Sequence, residues 1–294
     1  MTNILEVKHI SKYIANKMIV DDININIKSK EIVGFIGPNG AGKSSTLKLI
    51  STLWHANNGQ IYICGYNTKN NREQALNCIT ATIEQPMLYQ DLTGQENITI
   101  VAKLRNIDKA RVTKIMSMTG LQKDLKKKVK TYSMGMKQRL MLGLCLLPNP
   151  RLMLLDEPTN GLDPNGVKAF YDILKEQVKT EDIAILISSH QLHELSDICT
   201  RFIFIKNGRL IPTDEKPPNE TYQLKVSDPN KLVLLINTKY EQSVCADSDN
   251  VKIKTNETLN INTIVNLCMT NEIKINQIYR IQPSIIDQYE EFYL

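Results

Sequence analysis

A glycine-rich segment in the first sixth of the chain has the composition and spacing of a phosphate-binding loop. Residues 37–44 read G-P-N-G-A-G-K-S, which fits the pattern G-x-x-x-x-G-K-[ST]. Glycines at these positions let the backbone curl with its N–H groups pointing inward, which creates an anion site. Lys43 can reach the β- and γ-phosphates of a nucleotide, and the Ser44 hydroxyl is placed to ligate Mg²⁺. The predicted phosphate-binding residues are Gly37, Pro38, Asn39, Gly40, Ala41, Gly42, Lys43, Ser44 and Ser45.

The segments on either side predict the elements that position this loop. Residues 31–36 form a short apolar run that predicts a buried strand. Residues 45–51 predict a helix whose N-terminus faces the phosphates. A chance match to the motif is the alternative, and the strand–loop–helix context argues against it.

A second apolar segment ends in two carboxylates. Residues 151–155 predict a buried strand, and Asp156 and Glu157 follow at its end. In enzymes with a phosphate-binding loop (P-loop), such a strand lies beside the P-loop strand. Its first acid then holds the Mg²⁺ shell, and the next can polarise an attacking water. Alone, this pattern is equally typical of an ordinary strand end.

Two further segments could contact phosphate. Residues 131–139 open a predicted helix with Ser133 at the N-cap and Gly135 in the first turn, and a donor-rich helix start is a second anion site. Another apolar strand, at residues 183–189, ends in His190. A lone histidine at a strand end is more often structural than catalytic.

The order of these segments resembles the ATP-binding subunit of an ABC (ATP-binding cassette) transporter over about residues 4–211. Residues 132–140, Y-S-M-G-M-K-Q-R-L, are similar to the family signature in its Tyr-Ser-x-Gly-Met form. The resemblance implies that two such subunits sandwich two ATP molecules. Ser133 and Gly135 of one subunit would then contact the γ-phosphate bound by the other.

The same resemblance assigns roles to four more residues. It implies that Glu157 orients or deprotonates the attacking water and that His190 contacts the γ-phosphate, in place of the structural role that His190 would otherwise be given. It also implies that Asp163 lies at the dimer contact and that Tyr13 stacks on adenine. Without the resemblance, Tyr13 would be interpreted as a tyrosine at a strand end.

One position departs from the common family pattern. The family usually carries a glutamine that ligates Mg²⁺ before the helical region, and alignment on Pro86 places Glu84 there. This substitution resembles the ATPase subunits of lantibiotic-immunity and bacitracin-resistance exporters, and a carboxylate is a stronger Mg²⁺ ligand than an amide oxygen. Shifting the alignment by one residue makes Gln85 the ligand instead. We favour Glu84, which with Ser44 and Asp156 completes the predicted metal ligands.

Composition limits where the protein works. The 36 basic and 31 acidic residues give a net charge of +5, which is compatible with an anionic membrane surface and too small to indicate nucleic acid. The 6 cysteines form no C-x-x-C pair, which predicts reduced thiols and no zinc site. No signal peptide is indicated, and the apolar runs are far shorter than the ~20 residues that span a bilayer. We therefore expect a peripheral protein at the cytoplasmic face of the membrane, with a separate permease.

The chain is predicted to have three parts. Residues 1–211 predict an α/β P-loop NTPase core of the ABC type, with a helical subdomain at about 86–150. Residues 212–220 are a polar, proline-rich linker. Residues 221–294 predict a small α+β accessory domain without a catalytic cluster. Its predicted strands lie at 222–226, 232–236, 251–254 and 273–281, and its predicted helices at 261–271 and 284–294.

These observations predict the ATPase of an exporter for an antimicrobial or toxin peptide, with ATP and Mg²⁺ as cofactors. The ATPase subunits would dimerise, either as identical chains or with a paralogue. One alternative is a multidrug-type exporter of small hydrophobic compounds. Another is a soluble ABC ATPase acting on ribosomes or DNA, against which the single cassette without a heptad arm argues. The intact set Lys43, Ser44, Asp156, Glu157 and His190 argues against a pseudoenzyme.

Overall fold

The computed structural model describes residues 2–83, 88–190, 192–212, 221–240, 244, 246–247, 250–256 and 258–281. The chain forms two compact units, residues 1–211 and 212–294. The predicted Mg²⁺ ligand Glu84 and its alternative Gln85 lie outside the described residues. So do residues 213–220 of the predicted linker and the predicted helix at 284–294.

The first unit contains ten strands, seven α-helices and two short 3₁₀-helices (Gln122–Lys126 and Val129–Thr131) among the described residues. The strands are β1 (Asn3–Ile14), β2 (Lys17–Lys28), β3 (Ile32–Ile36), β4 (Asn58–Ile63), β5 (Tyr66–Asn67), β6 (Ile79–Thr82), β7 (Leu152–Asp156), β8 (Ala184–Ser189), β9 (Arg201–Lys206) and β10 (Arg209–Ile211). The helices are α1 (Lys43–Ile50), α2 (Arg72–Asn77), α3 (Gly94–Leu104), α4 (Lys109–Met118), α5 (Met134–Leu146), α6 (Pro164–Thr180) and α7 (Leu192–Ser196).

A six-stranded sheet forms the centre of this unit, in the order β10-β9-β3-β8-β7-β6. The five strands from β9 to β6 pair in parallel, and β10 joins as an antiparallel edge. All residues of β3 and β8 are buried, as expected for parallel strands that are covered on both faces. The α/β prediction for this part of the chain is confirmed.

One expectation about this sheet is wrong. The strand that ends in Asp156 is not the neighbour of the P-loop strand, because β8 lies between β3 and β7 and pairs with both. The three strands are parallel, so their carboxyl ends still meet at one edge of the sheet. The acid pair and the P-loop therefore share that edge even though their strands do not touch.

A second sheet packs its apolar face on the same core. It is antiparallel, in the order β2-β1-β4-β5. Along β2 the buried residues Ile23, Ile25 and Ile27 alternate with exposed ones, which is the period of a half-buried strand. They belong to one hydrophobic cluster with Phe35 of β3 and Leu47 of α1. This cluster anchors the P-loop and its helix.

Helices α3, α4 and α5 form the region between β6 and β7, as predicted. Thr93 and Glu96 form a reciprocal capping box at the start of α3, and the Asp108 side chain caps α4. Ser133 caps α5 by accepting a hydrogen bond from the Met136 N–H, so its predicted N-cap role is confirmed. No described helix is both long and apolar enough to cross a membrane.

The second unit has a β-α-β-β-α-β order. Its elements are β11 (Thr221–Val226), α8 (Pro229–Tyr240), β12 (Ala246–Asp247), β13 (Asn250–Lys254), α9 (Ile261–Thr270) and β14 (Ile275–Ile281). The strands pair antiparallel in the order β12-β13-β11-β14, which is the ferredoxin-like arrangement. The described strands and helices give this unit the predicted α+β class.

The predicted strand at residues 232–236 is wrong, because these residues lie within α8. Asp228 accepts a hydrogen bond from the Lys231 N–H at 3.0 Å, and Pro229 occupies the first helical position. Leu232 and Ile236, four positions apart, then face the core together. A short apolar run fits a strand or a helix, and the capping residues before it decide between them.

Candidate nucleotide-binding and hydrolysis site

The P-loop connects β3 to α1 through positions that only glycine fits. At Gly37 a Cβ atom would lie 2.4 Å from the Ile205 carbonyl oxygen. Gly42 has a φ of 110°, which L-residues with side chains rarely adopt. The Thr46 hydroxyl donates to the Gly42 carbonyl at 2.8 Å and secures the first turn of α1. The unpaired N–H groups of this helix start therefore lie at the loop, where an anion can accept from them.

Lys43 lies between the P-loop and the acid pair. Its side chain is only 5% exposed, and its ammonium group donates to the Gly37 carbonyl at 2.6 Å and to the Pro38 carbonyl at 3.2 Å. The Glu157 Oε1 atom is 3.6 Å from the same nitrogen. Burial lowers the pKa of Lys43, and the Glu157 and Asp156 carboxylates oppose that shift. The Lys43 ammonium group is thus held beside both the P-loop carbonyl groups and the Glu157 carboxylate.

Ser188 of the intervening strand β8 holds the two acids in place. Its hydroxyl donates to the Asp156 Oδ1 atom at 2.5 Å and accepts from the Glu157 backbone N–H at 3.0 Å. The Ser188 carbonyl is 3.2 Å from the same N–H group. A hydrogen bond to a carboxylate is stronger than one between neutral groups. Strand β8, which lies between β3 and β7, therefore positions the acid pair through Ser188. The sequence analysis did not predict this role of Ser188.

Glu157 carries the features of a general base. Its backbone has a φ of 44°, a strained value for a residue with a side chain. Its Oε2 atom accepts from the Asn160 amide at 2.7 Å and lies 3.1 Å from His190 Nδ1. Burial alone would raise the pKa of Glu157, but the Asn160 hydrogen bond and the charges of His190 and Lys43 outweigh it and lower the pKa. The carboxylate is therefore ionised at neutral pH.

The predicted site residues fall into two groups in space. Ser44, Asp156 and Glu157 line one cavity, of about 510 Å³, and Lys43 and His190 each contact Glu157. Ser133, Gly135 and Asp163 line a second cavity, of about 490 Å³.

Asp163 shapes the second cavity by capping α6. Its Oδ1 atom accepts from the Gly166 N–H at 3.1 Å. Ser133, which caps α5, lines the same cavity. The N-termini of α5 and α6 therefore both lie at this cavity, although α6 begins with Pro164, which has no N–H group to donate.

Tyr13 belongs to neither group. It lies near the end of β1, is 43% exposed, and pairs with Met18 of β2. The next residue of β2, Ile19, has its carbonyl oxygen 3.2 Å from the Cβ position of Gly42. The β1–β2 hairpin thus lies against the P-loop, and Tyr13 is an exposed aromatic residue near the end of its first strand.

The oxygen atoms in the first cavity suit a magnesium ion. Ser44 and Asp156 offer a hydroxyl and a carboxylate, and hard cations such as Mg²⁺ prefer oxygen ligands. Thr82 also lines this cavity, and its buried hydroxyl has no hydrogen-bond partner among the described residues. The donor set therefore fits Mg²⁺.

Sequence reasoning missed other residues besides Ser188. Asn160 follows Glu157 by three positions in a polar turn, so the spacing could have suggested it. Thr159 donates to Glu194 of α7 at 3.1 Å and lies 3.4 Å from the Tyr171 hydroxyl of α6. Nothing local in the sequence indicates this second contact set, because its members come from three separate elements.

A P-loop between a parallel strand and a helix, followed by an acid pair and a histidine at the same sheet edge, defines a P-loop nucleotide hydrolase. The sequence profile of the family described as ABC transporter matches residues 20–160. The chain belongs to the ATP-binding proteins of this family, which are ATPases.

Relatives match the chain over most or all of its length. The uncharacterized ABC transporter ATP-binding protein YhcH of Bacillus subtilis (strain 168) is 33% identical over 99% of this chain and 96% of its own length. The bacitracin transport ATP-binding protein BcrA of Bacillus licheniformis is 38% identical over 82% of this chain and 81% of its own. The lantibiotic transport ATP-binding protein SrtF of Streptococcus pyogenes is 33% identical over 74% of this chain and 94% of its own.

Solved structures agree with the fold. The structure of an ATP binding subunit of an ABC transporter superposes with a TM-score of 0.65 at 31% identity, covering 70% of this chain and 88% of that one. The similarity to bacitracin and lantibiotic transport ATPases, which the sequence analysis drew from Glu84 in place of the usual glutamine, is confirmed.

Proposed function

We propose that this chain is the ATP-hydrolysing subunit of an exporter that expels an antimicrobial or toxin peptide through a separate permease. The observation that carries the proposal is the Glu157 cluster, in which an ionised carboxylate contacts both Lys43 and His190 beside the P-loop. Two relatives named for bacitracin and lantibiotic transport support the substrate class. The chain itself supplies the energy of transport and not the path.

Hydrolysis relies on Glu157 and His190. Glu157 accepts the proton of the attacking water, and the hydrogen bond from Asn160 aims its carboxylate. His190 turns from Glu157 toward the γ-phosphate and holds the water in line. Lys43 stabilises the negative charge that develops on the phosphate oxygens.

Mg²⁺ would be held by Ser44 and Asp156, with Glu84 as a proposed further ligand. When bound, the ion supplies charge neutralisation at the phosphates. The Ser188 hydrogen bond keeps the Asp156 carboxylate turned toward the cavity.

A complete site needs two ATPase subunits. Ser133, Gly135 and Asp163 line a cavity other than the one that Ser44 lines, so a nucleotide in the first cavity meets the second set from a partner subunit. Tyr13 stacks on the adenine from the β1–β2 hairpin. The dimer is peripheral at the cytoplasmic face of the membrane, where the helical region of each subunit contacts the permease.

The deciding experiment is transport by the purified complex. The chain is co-purified with its permease and reconstituted into vesicles, and accumulation of a labelled lantibiotic, of bacitracin or of ethidium is measured with Mg-ATP. We expect ATP-dependent movement of a peptide, abolished by Glu157→Gln and retained by the exposed-site control Glu176→Gln. Movement of ethidium with neither peptide would refute the substrate class, and the absence of a co-purifying membrane protein would refute the exporter assignment.

A further inference from the structure

A buried polar network links the two segments that carry the proposed catalytic groups. Thr159 lies two positions after Glu157, and Glu194 lies four positions after His190. The Thr159 hydroxyl donates to the Glu194 Oε2 atom at 3.1 Å. The hydroxyl of Tyr171, in the middle of α6, is 3.4 Å from the Thr159 oxygen.

Two members of the network are shielded from water, and Glu194 is partly buried. Thr159 is 7% exposed and Tyr171 is 5% exposed. Burial raises the pKa of the Tyr171 phenol, so this group keeps its proton and acts as a hydrogen-bond donor. Tyr171 also has a hydrogen bond with Glu194, so the three side chains are all connected to one another.

This arrangement makes a second bridge between chain segments that are already joined. Glu157 and His190 form the first bridge at 3.1 Å, and His190 must leave it to contact a phosphate. The Thr159–Glu194 bridge joins residues that follow Glu157 and His190 in the chain. Neither of its side chains is proposed to touch the nucleotide. Opening the first bridge removes neither partner of the second, and a hydrogen bond to a carboxylate is stronger than one between neutral groups.

We propose that Thr159, Tyr171 and Glu194 are positioning residues for ATP hydrolysis. They hold the loop of Glu157 at a set distance from the segment of His190, so that the water stays in line with the γ-phosphate. Tyr171 adds α6, which is capped by Asp163, to the same unit. The inference rests on the proposed roles of Glu157 and His190 and adds the device that aligns them.

The test compares Thr159→Val, which keeps the shape and removes the hydroxyl, with Thr159→Ser, which restores it. We expect Thr159→Val to lower kcat about tenfold with KM for ATP changed less than about twofold, because alignment and not binding is lost. Thr159→Ser should stay within about twofold of the wild-type kcat. Thr180→Val, at an exposed threonine at the end of α6, is the matched control. Tyr171→Phe tests the network independently if the valine variant does not fold.

A double-mutant cycle separates positioning from general stability. In a His190→Ala background the Thr159→Val change should cost less than about twofold, because there is no longer a histidine to align. The proposal would be overturned if Thr159→Val lowered kcat by the same factor in the His190→Ala background as in the wild type. It would also be overturned if both Thr159→Val and Tyr171→Phe kept the wild-type kcat, or if Thr159→Ser were as slow as Thr159→Val. If Glu157→Gln retains full turnover, the proposed role of Glu157 fails instead, so the two failures are distinguishable.

Discussion

Replacing Glu157 by glutamine tests the centre of the proposed mechanism. Glutamine has the same shape, and its amide oxygen can still accept from Asn160, which lies 2.7 Å from the native carboxylate. The loop therefore keeps its geometry while the proton acceptor is lost. Loss of a general base costs about 10²- to 10⁴-fold in rate. At about 1.36 kcal/mol per factor of ten, the activation barrier rises by roughly 2.7–5.4 kcal/mol.

The assay for this variant separates turnover from binding. Phosphate release is followed at saturating Mg-ATP, and affinity is measured with a fluorescent ATP analogue. We expect kcat to fall by the stated factor, with ATP affinity preserved and an ATP-dependent dimer that persists during size-exclusion chromatography. Glu176→Gln, at an exposed carboxylate of α6, should behave as wild type.

The pH dependence provides a second readout. The pKa of Glu157 is lowered from its ordinary value of 4.5, so the base stays ionised and the wild-type rate should not fall through Glu157 between about pH 8 and pH 6. A variant kcat within threefold of wild type, or a loss of affinity as large as the loss of rate, would refute the assignment of Glu157 as general base.

Three further predictions follow from the contacts of the first unit. Ser188→Ala should raise the Mg²⁺ concentration for half-maximal activity about tenfold, because a hydrogen bond to a metal-binding carboxylate is lost; an unchanged requirement would contradict this. Lys114 and Arg111 lower the pKa of Glu181, so this group contributes stability above its unfolded pKa of about 4.5 that is lost on acidification. Glu181→Gln should therefore reduce the free energy of unfolding by about 1 kcal/mol near neutral pH in denaturant titrations, with a difference that shrinks below about pH 4.5; a constant difference would exclude the ion pair as its cause. Equal mixing of inactive Lys43→Ala and Ser133→Arg chains should restore about a quarter of the wild-type rate if the chain pairs with itself, since half of the dimers are mixed and each has one intact site; no recovery would contradict shared sites in a homodimer.

Local patterns predicted the elements of the first unit that carry the candidate site. An uninterrupted run of residues precedes the P-loop, and another precedes the acid pair. These runs form β3 and β7 within one residue of the expected bounds. The start of α5 was predicted because Ser133 satisfies a backbone N–H of its own helix. Apolar runs and capping residues lie within a few positions of the strand or helix that they specify. They can therefore be recognised from a single sequence.

The failures in the first unit have a common physical cause. The position of β8 between β3 and β7 is set by its pairing with both strands, and β3 precedes it by well over a hundred residues, so the local pattern of each strand contributes nothing to this order. Ser188 could not be assigned a role for the same reason. The misassigned α8 differs, because the deciding cap at Asp228 was present in the sequence and was outweighed by a short apolar alternation.

In the proposed dimer, the division of the site between two cavities would account for the two phosphate-seeking helix starts of one chain. Ser44 and Ser133 line different cavities, which adjoin at Met134 and Gln138 of α5. The loop from Glu157 to Asp163 joins the two cavities, because its first residue lines one and its last lines the other. Thr159, inside this loop, is held by Glu194 and Tyr171. In the proposed dimer, a shift at Asp163 would therefore strain this network or move Glu157, so we expect the loop to connect the dimer contact mechanically with hydrolysis.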